Sequence, residues 1–268
     1  MTNPSTWALE RHGAVAVATF TRPPRNLMSF AALGELEAVL GRLAEDPEVH
    51  VVVLTGGVDG YFVAHADLDD LGALGRGEPV DGDPFVWSRV TALLESMPQP
   101  VVAAIDGQAW GGGCELALAC TVRVASERAH LGQPEILVGI IPGAGGTQRL
   151  GRLVGPGRAA ELVLSGRIVE AREAAAIGLV EAVLPVEGFL DAVLGWVAPM
   201  AANPRAALAA GKRAVVEGGR LPLADGLALE GELFVALQTG DDALTRQDAV
   251  TARYAAAGDD DRVTLDPS

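Results

Sequence analysis

Apolar and polar positions alternate in short blocks that predict strands in the first half of the chain. The period-two alternation over residues 7–20, broken at His12-Gly13, predicts a strand hairpin. The apolar runs at residues 51–54 and 101–105 are short and rich in valine, and they predict buried strands. Because these strands recur between helical segments, we expect an α/β chain.

Helical spacing of apolar residues predicts a helix over residues 30–43, with Ser29 as its N-cap. A loop over residues 56–66 leads into a second helix at Asp67, and residues 84–97 predict a third helix. Residues 75–83 are polar and rich in glycine, so we expect mobility there.

Beyond Leu150 the helical pattern predominates. A helix is expected to start at Asn203-Pro204, where proline is tolerated in the first turn, and a short strand is expected over residues 184–186. The acidic, polar residues 259–268 predict a frayed end. The remaining helices are expected at residues 158–164, 170–177, 190–202, 223–238 and 242–254.

Two glycine clusters, at residues 111–113 and 143–146, carry the candidate chemistry. A helix-like run follows each cluster, and each has a glutamate close by, Glu115 and Glu135. Glycine lets the backbone approach a ligand closely, and the first N–H groups of a helix lack partners within the helix. The helix dipole also favours negative charge at that end. Both clusters are therefore candidate ligand sites.

Both segments resemble the catalytic segments of the crotonase (enoyl-CoA hydratase/isomerase) superfamily. Residues 111–115 (GGGCE) match its first segment, and residues 132–135 (GQPE), continuing through residues 141–150 (IPGAGGTQRL), match its second. The two together, in order and at family spacing, are far more specific than a lone triple glycine. The chain is thereby identified as a member of that superfamily, with a resemblance that covers roughly the whole chain.

The resemblance implies an α/β fold made of a crotonase-like spiral of ββα units with a C-terminal helical region. We expect the spiral core in residues 1–200 and a C-terminal helical trimerisation region in residues 201–268. The family also implies a homotrimer or a dimer of trimers.

The implied function is an enoyl-CoA hydratase, which adds water syn across the C2=C3 bond of a 2-trans-enoyl-CoA to give a 3-hydroxyacyl-CoA. Charge builds on the thioester oxygen, and the matching oxyanion donors are the Ala66 and Gly112 amides. By resemblance Glu115 holds and activates the water, and Glu135 exchanges a proton with the substrate carbon or the water. Taken singly, each of these residues also fits an ordinary structural role, and their joint match favours catalysis.

Substrate contacts are expected around these groups, with two departures from the family pattern. His65 stands where glycine is usual, and we expect its ring to turn outward, away from the oxyanion loop. The helix after Asp67 lacks the usual lysine, so Arg25 becomes the first candidate for the coenzyme phosphates and Arg22 the second. Asp67 itself fits a helix N-cap better than a catalyst. The substrate-binding candidates are Arg25, Ala64, His65, Asp67, Leu68, Gly111, Pro134, Pro142 and Gly143.

Composition and net charge limit the classes of partner that the protein can bind. The net charge of −15 disfavours nucleic acid, since phosphate binding requires a basic patch, and no apolar run approaches the length of a membrane span. The only two cysteines, Cys114 and Cys120, lie in an apolar helix and predict reduced thiols of a cytoplasmic protein. The pattern indicates no metal site, and no cofactor is expected because coenzyme A is part of the acyl-CoA thioester substrate.

Two alternatives stay open at this point. One is an enoyl-CoA isomerase on the same scaffold, because family members that keep a single carboxylate catalyse other reactions. The other is a non-catalytic acyl-CoA-binding subunit, which His65 and the acidic start of the helix after Asp67 leave possible, although Glu115 and Glu135 speak against it.

Overall fold

The computed structural model describes residues 5–257, and two strands joined through Gly13 begin its main sheet. The strands β1 (Trp7–His12) and β2 (Val15–Phe20) pair antiparallel, as the alternating pattern predicted. Gly13 takes a φ of 59°, which glycine adopts without steric penalty. The predicted hairpin is confirmed.

Strands and helices alternate through the rest of the first compact unit, which ends at Ala209. In chain order they are α1 (Phe30–Glu45), β3 (Val51–Gly56), α2 (Leu68–Gly75), α3 (Val86–Ser96), β4 (Val101–Ile105), β5 (Gln108–Trp110), α4 (Gly112–Ala119), β6 (Val122–Ser126), β7 (His130–Gly132), a 3-10 helix (Pro134–Val138), α5 (Gly146–Val154), α6 (Pro156–Ser165), β8 (Ile168–Glu170), α7 (Ala171–Ala176), β9 (Ala182–Leu184) and α8 (Phe189–Ala201).

The strands form two sheets. The larger has the order β1-β2-β3-β4-β6-β9 and is parallel beyond its first pair, and the smaller has the order β5-β7-β8. Successive turns of chain place β4 and then β6 in the large sheet, and β5 and then β7 in the small one. This repetition is the expected spiral of ββα units.

Alternate residues of the central strands enter two apolar layers, so the large sheet is covered on both faces. Val52 and Leu54 of β3 pack in the layer that contains α1, α3 and α4, whereas Val51 and Val53 pack against α8. Helix α8 contributes Phe189, Val193, Val197 and Ala201, which recur at four-residue intervals on one helix face. Burial on both faces explains why these strands read as continuous apolar runs.

Most predicted elements are confirmed, with small shifts at their ends. Ser29 caps α1 by accepting a hydrogen bond from the Ala32 N–H, as predicted. Helix α4 begins at Gly112, inside the glycine cluster rather than after it, and the late strand lies at Ala182–Leu184 rather than at residues 184–186. The three-residue strands β5, β7 and β8 were not predicted, because so short a segment carries too little periodicity.

The second compact unit begins at Ala210, inside α9 (Arg205–Val216), whereas the sequence placed its division at residue 200. It contains a short 3-10 helix (Gly218–Arg220), α10 (Leu223–Gln238) and α11 (Asp241–Ala256), in agreement with the predicted late helices. The frayed end expected at residues 259–268 lies outside the described residues. None of the helices in residues 5–257 combines the length and apolarity that spanning a bilayer requires.

The small sheet is what brings the two glycine clusters together. Strands β5 and β7 pair in parallel with Trp110 opposite Gly132, and the Gly111 N–H donates to the Gly132 carbonyl at 2.9 Å. Each strand is followed at once by a helical turn that carries a glutamate, α4 in one case and the 3-10 helix in the other. Because parallel strands end at the same edge of a sheet, Glu115 and Glu135 meet there.

Candidate active site

Two unpaired backbone amides lie side by side at the start of α4. Ala66 lies in the loop before α2. The residues on either side of it are bonded to Met28: the Met28 N–H donates to the His65 carbonyl at 2.9 Å, and the Asp67 N–H donates to the Met28 carbonyl at 2.8 Å. A Cβ on Gly112 would lie 3.1 Å from the Cβ of Ala66. Within residues 5–257, neither the Ala66 nor the Gly112 N–H has a hydrogen-bond partner. Both donors are therefore available to a ligand oxygen.

The glycine cluster permits this close approach. A Cβ on Gly113 would lie 1.9 Å from the Val63 carbonyl oxygen, so any larger residue would force the helix away from that loop. Gly111 has a φ of 49°, and a Cβ there would lie 2.9 Å from Oε1 of Glu135. Glycine is required here because backbone and carboxylate pack directly against each other.

Glu115 lies in the first turn of α4, and only 3% of its surface is exposed. Its Oε1 accepts hydrogen bonds from the Ala144 N–H at 2.7 Å and the Gly146 N–H at 2.8 Å. Burial raises the pKa of Glu115, while these N–H donors and the Arg149 guanidinium favour the carboxylate form and oppose the rise. The second glycine cluster thus supplies the donors that hold the glutamate next to the first.

Glu135 occupies the 3-10 helix after β7 and is half-buried. The side chain of Gln133 is fully buried, and its amide forms hydrogen bonds when its nitrogen faces Glu135. In that orientation the nitrogen donates to Oε1 of Glu135 at 3.0 Å and to Oε2 at 3.2 Å. Burial raises the pKa of Glu135 to about 7, and the nearby Glu115 carboxyl acts in the same direction. Near neutral pH this group can therefore both give and take a proton.

The two glutamates and the two amides line one cavity of about 430 Å³. The rest of its wall is mainly apolar and includes Phe30, Leu68, Leu71, Leu74, Trp87 and Trp110. Such a wall suits a hydrocarbon chain next to a small set of convergent polar groups. No three His, Cys, Asp or Glu side chains within residues 5–257 are grouped in a way that could hold a metal ion.

His65 is one of the residues that line the cavity. Its Nδ1 is 2.7 Å from the Ala66 carbonyl oxygen. Because a carbonyl only accepts, Nδ1 carries the hydrogen and donates, which leaves Nε2 as the other polar atom of the ring. The position of His65 in the lining of the cavity speaks against the outward orientation expected from the sequence, and the ring is tied to the Ala66 carbonyl.

The structure separates the predicted substrate-binding residues into two groups. Five of them line the cavity: His65, Leu68, Gly111, Pro134 and Gly143. The other four lie outside its lining: Arg25, Ala64, Asp67 and Pro142.

Each residue of the second group has another place in the structure. Arg25 is exposed, and Pro142 is buried. The Ala64 carbonyl accepts from the Trp110 N–H at 3.0 Å, which ties the loop before α2 to β5. Asp67 caps α2 through the Asp69 N–H and pairs with Arg22 at 2.6 Å, so Arg22 is already neutralised.

Two residues that support the site were not found from the sequence. Gln133 belongs to the GQPE motif, and its place as an uncharged polar residue between a buried strand and a glutamate is a usable signal. Asn26 is fully buried with a φ of 55°, and its side-chain amide donates to the carbonyls of Phe20 and Phe62. Asn26 thus connects the loop that carries Arg25 to the segment leading to Ala66, and the local sequence does not indicate these hydrogen bonds.

Comparisons with known proteins identify the family of the chain. A family model described as Enoyl-CoA hydratase/isomerase matches residues 10–252. The short-chain-enoyl-CoA hydratase of Clostridium acetobutylicum is 37% identical over 247 residues, which cover 91% of this chain and 92% of that protein. The 2,3-dehydroadipyl-CoA hydratase of Escherichia coli is 39% identical over 87% of this chain and 91% of that protein. The crystal structure of an enoyl-CoA hydratase from Bacillus anthracis matches with a TM-score of 0.85 at 35% identity, over 92% of this chain and 96% of that one.

Proposed function

Since the chain belongs to the enoyl-CoA hydratase/isomerase family, we propose that its cavity binds a 2-trans-enoyl-CoA and adds water syn across the C2=C3 bond to give a 3-hydroxyacyl-CoA. Relatives with hydratase names align with it over most of both chains, and the protein is an enoyl-CoA hydratase on that similarity. The observation that carries the mechanism is that one cavity contains both carboxyl groups and both unpaired amides.

The backbone N–H groups of Ala66 and Gly112 activate the thioester. Their N–H groups donate to the thioester oxygen, on which negative charge builds as water attacks C3. Fixed donors in a water-poor cavity stabilise such charge without reorganising, and removal of one donor of this kind typically costs about 10²–10³-fold in kcat.

Glu115 and Glu135 manage the water and the proton. Glu115 accepts a proton from the water as the water oxygen bonds to C3, and Glu135 gives its proton to C2. A proton passed from Glu115 to Glu135 through the next water restores the starting state. Both groups act from one side of the double bond, which gives syn addition. The pKa of about 7 suits Glu135 to this exchange.

The direct test is hydration of crotonyl-CoA, followed by loss of the enoyl thioester absorbance. The wild-type protein should consume the substrate, and the Glu115→Gln variant should not. If the wild-type protein leaves crotonyl-CoA and longer 2-enoyl thioesters unchanged, the proposal is wrong.

An enoyl-CoA isomerase is the second candidate, and the pKa of Glu135 favours it. One carboxyl group that titrates near neutral pH can move a proton between C2 and C4 without any water being activated. Migration of the double bond in a 3-enoyl thioester by Glu115→Gln, with hydration lost, would support this reading. The non-catalytic acyl-CoA-binding alternative falls away because the chain is an enzyme of this family.

Coenzyme binding rests on few cations. Arg25 is exposed and forms no ion pair with any residue in 5–257, whereas Arg22 is engaged by Asp67. We propose that Arg25 contacts the coenzyme phosphates. Arg25→Ala should weaken acyl-CoA binding and flatten its dependence on salt, because ions screen a charge contact. Unchanged affinity and salt response would eliminate Arg25.

We also propose a cytoplasmic homotrimer or dimer of trimers that uses no cofactor beyond the coenzyme A of its substrate. Apolar side chains are exposed on α10, including Leu227, Phe234 and Val235. They support assembly, because burying them against another copy of the chain would remove apolar surface from water. Cys114 and Cys120 are both buried and form no disulfide within residues 5–257, which fits a reducing compartment. Sedimentation as a monomer at micromolar concentration would contradict the assembly.

A further inference from the structure

Arg149 on α5 lies behind the backbone segment that holds Glu115. Its Nη1 donates to the Ala144 carbonyl at 2.8 Å, and its Nε donates to Oε1 of Glu95 at 2.6 Å. The Arg149 and Glu95 side chains are only 19% and 14% exposed, so water screens this pair weakly. Glu95 belongs to α3, a different element from the one that it anchors.

The same short segment presents its N–H groups to the catalytic carboxylate. Ala144 accepts Arg149 on its carbonyl and donates to Glu115 through its N–H. Gly145 between the two donors has a φ of 102°, and a Cβ there would lie 2.0 Å from Nη1 of Arg149. Glycine at this position thus leaves room for the guanidinium to lie against the loop.

We propose that Arg149, anchored by Glu95, is a positioning residue that fixes the Ala144 and Gly146 amides and thereby the Glu115 carboxylate. The inference rests on the proposed hydratase reaction. With Oε1 held by two amides, Oε2 of Glu115 is oriented for the reacting water. A small displacement of a catalytic group is costly, since about 1 Å of misplacement can lower a rate by about 10²-fold.

Arginine suits this task because its planar fork donates in two directions at once, to Glu95 and to the Ala144 carbonyl. Lysine carries the same charge but cannot reproduce the two fixed directions. The charge of Arg149 acts as well: it lowers the pKa of Glu115 against the effect of burial. The other titratable groups near Glu115 are Glu135 from the 3-10 helix and the neighbouring Cys114, whose pKa burial raises to about 12, so the thiol stays neutral.

Arg152 offers a matched control on the same helix. It is exposed, and within residues 5–257 its hydrogen bonds go to the carbonyl and the side-chain oxygen of Gln148, with none to the loop or to Glu115. Arg152→Gln removes the same charge from α5 without removing a contact to the segment that holds the carboxylate.

The experiment compares wild type, Arg149→Gln, Arg149→Lys and Arg152→Gln in crotonyl-CoA hydration across pH. Arg149→Gln should lower kcat by about 10²-fold with little change in KM, because geometry rather than binding is lost. The acidic limb of its kcat/KM profile should move to higher pH, since Glu115 loses a cation that favours its ionised form. Arg149→Lys should restore the limb but not kcat, and Arg152→Gln should match wild type.

Two further measurements separate positioning from folding and from the reaction itself. In a Glu115→Gln background, Arg149→Gln should cause little additional loss of kcat, because the group that it positions is already gone. Hydrogen exchange of the Ala144 and Gly146 amides should quicken in Arg149→Gln, and this readout needs no turnover. Failure of wild type to hydrate any enoyl thioester would count against the proposed function alone.

A lowered melting temperature with unchanged kcat, pH limb and loop exchange would overturn the proposal, because Arg149 would then be structural only. An equal loss in the Glu115→Gln background would overturn it too, since Arg149 would be acting through another group.

Discussion

Glu115 and Glu135 share one cavity, yet the chain holds them by different means. Oε1 of Glu115 accepts two main-chain N–H groups in a fully buried helix turn. Glu135 lies half-buried in a 3-10 turn, where its carboxyl group accepts from its own backbone N–H and faces the side-chain amide of Gln133. The donors to Glu115 come from a remote segment and depend on the fold, whereas the donors to Glu135 lie within two residues of it. We infer that Glu115 is the fixed carboxylate and Glu135 the one whose proton affinity is tuned.

The largest effect should come from removing either carboxyl group. Glutamine keeps the shape but cannot exchange a proton, so Glu115→Gln and Glu135→Gln should each lower kcat by about 10²–10⁴-fold, with acyl-CoA binding largely kept. The double variant should lose less than the product of the single losses, because the two groups act as one unit. Steady-state hydration of crotonyl-CoA measures all three. Near-normal hydration by Glu115→Gln would mean that another group activates the water.

A smaller effect is expected when Glu135 keeps its carboxyl but loses its donor. Gln133→Leu has a similar shape and removes both hydrogen bonds to Glu135. Hydrogen bonds to a charged group contribute about 1.5–3 kcal/mol, so kcat should fall by roughly 10- to 100-fold. The pKa of Glu135 should rise relative to wild type, because the charged form loses its donor.

The pH dependence of kcat identifies which carboxylate Gln133 serves. The limb that belongs to Glu135 should move to higher pH in Gln133→Leu and stay in place in the exposed control Gln148→Leu. An unmoved limb would show that Gln133 has no part in tuning Glu135.

A change in the cavity wall should alter selectivity and leave both carboxylates as they are. His65 narrows the cavity beside Ala66, so His65→Gly should shift the ratio of kcat/KM toward bulkier enoyl thioesters. One methylene in an apolar pocket is worth about 10- to 200-fold, and we expect the lower end here. Rates across a series of chain lengths, measured at two pH values, test this. A moved pH limb without a change in selectivity would place His65 with the carboxylates instead.

The smallest effect concerns stability. Burial raises the pKa of Glu135 from 4.5 to about 7 in the folded state, so between these pH values the folded chain binds more protons than the unfolded chain. Unfolding therefore becomes easier as pH rises through this window, and the penalty is complete above pH 7. Glu135→Gln removes the penalty and should be more stable than wild type at pH 8, with the advantage fading by about pH 4.5.

Urea midpoints at fixed protein concentration check this sign, with the exposed Glu187→Gln as control. If Glu135→Gln is no more stable than the control at pH 8, the carboxylate is not strained by its burial. The proton affinity of Glu135 would then not be altered by its surroundings, and the comparison with Glu115 would fail.

Local sequence determined most elements and the identity of the central residues. Periodicity located β1, β2 and α1, and short continuous apolar runs located the buried strands β3 and β4. The glycine clusters and the two glutamates marked the cavity, because close backbone approach and proton exchange demand those residue types. Resemblance then supplied the spiral order that no single segment encodes.

Tertiary structure decided how those residues meet. The pairing of Trp110 with Gly132 in the small sheet sets Glu115 beside Glu135, and these strands are too short to have been predicted. The donors to Glu115 come from Ala144 and Gly146, far along the chain, and Arg149 supports them from another direction. The orientation of His65 depended on one carbonyl within reach. Hydrogen bonds and burial depend on distances between remote segments, and those distances exist only once the chain has folded.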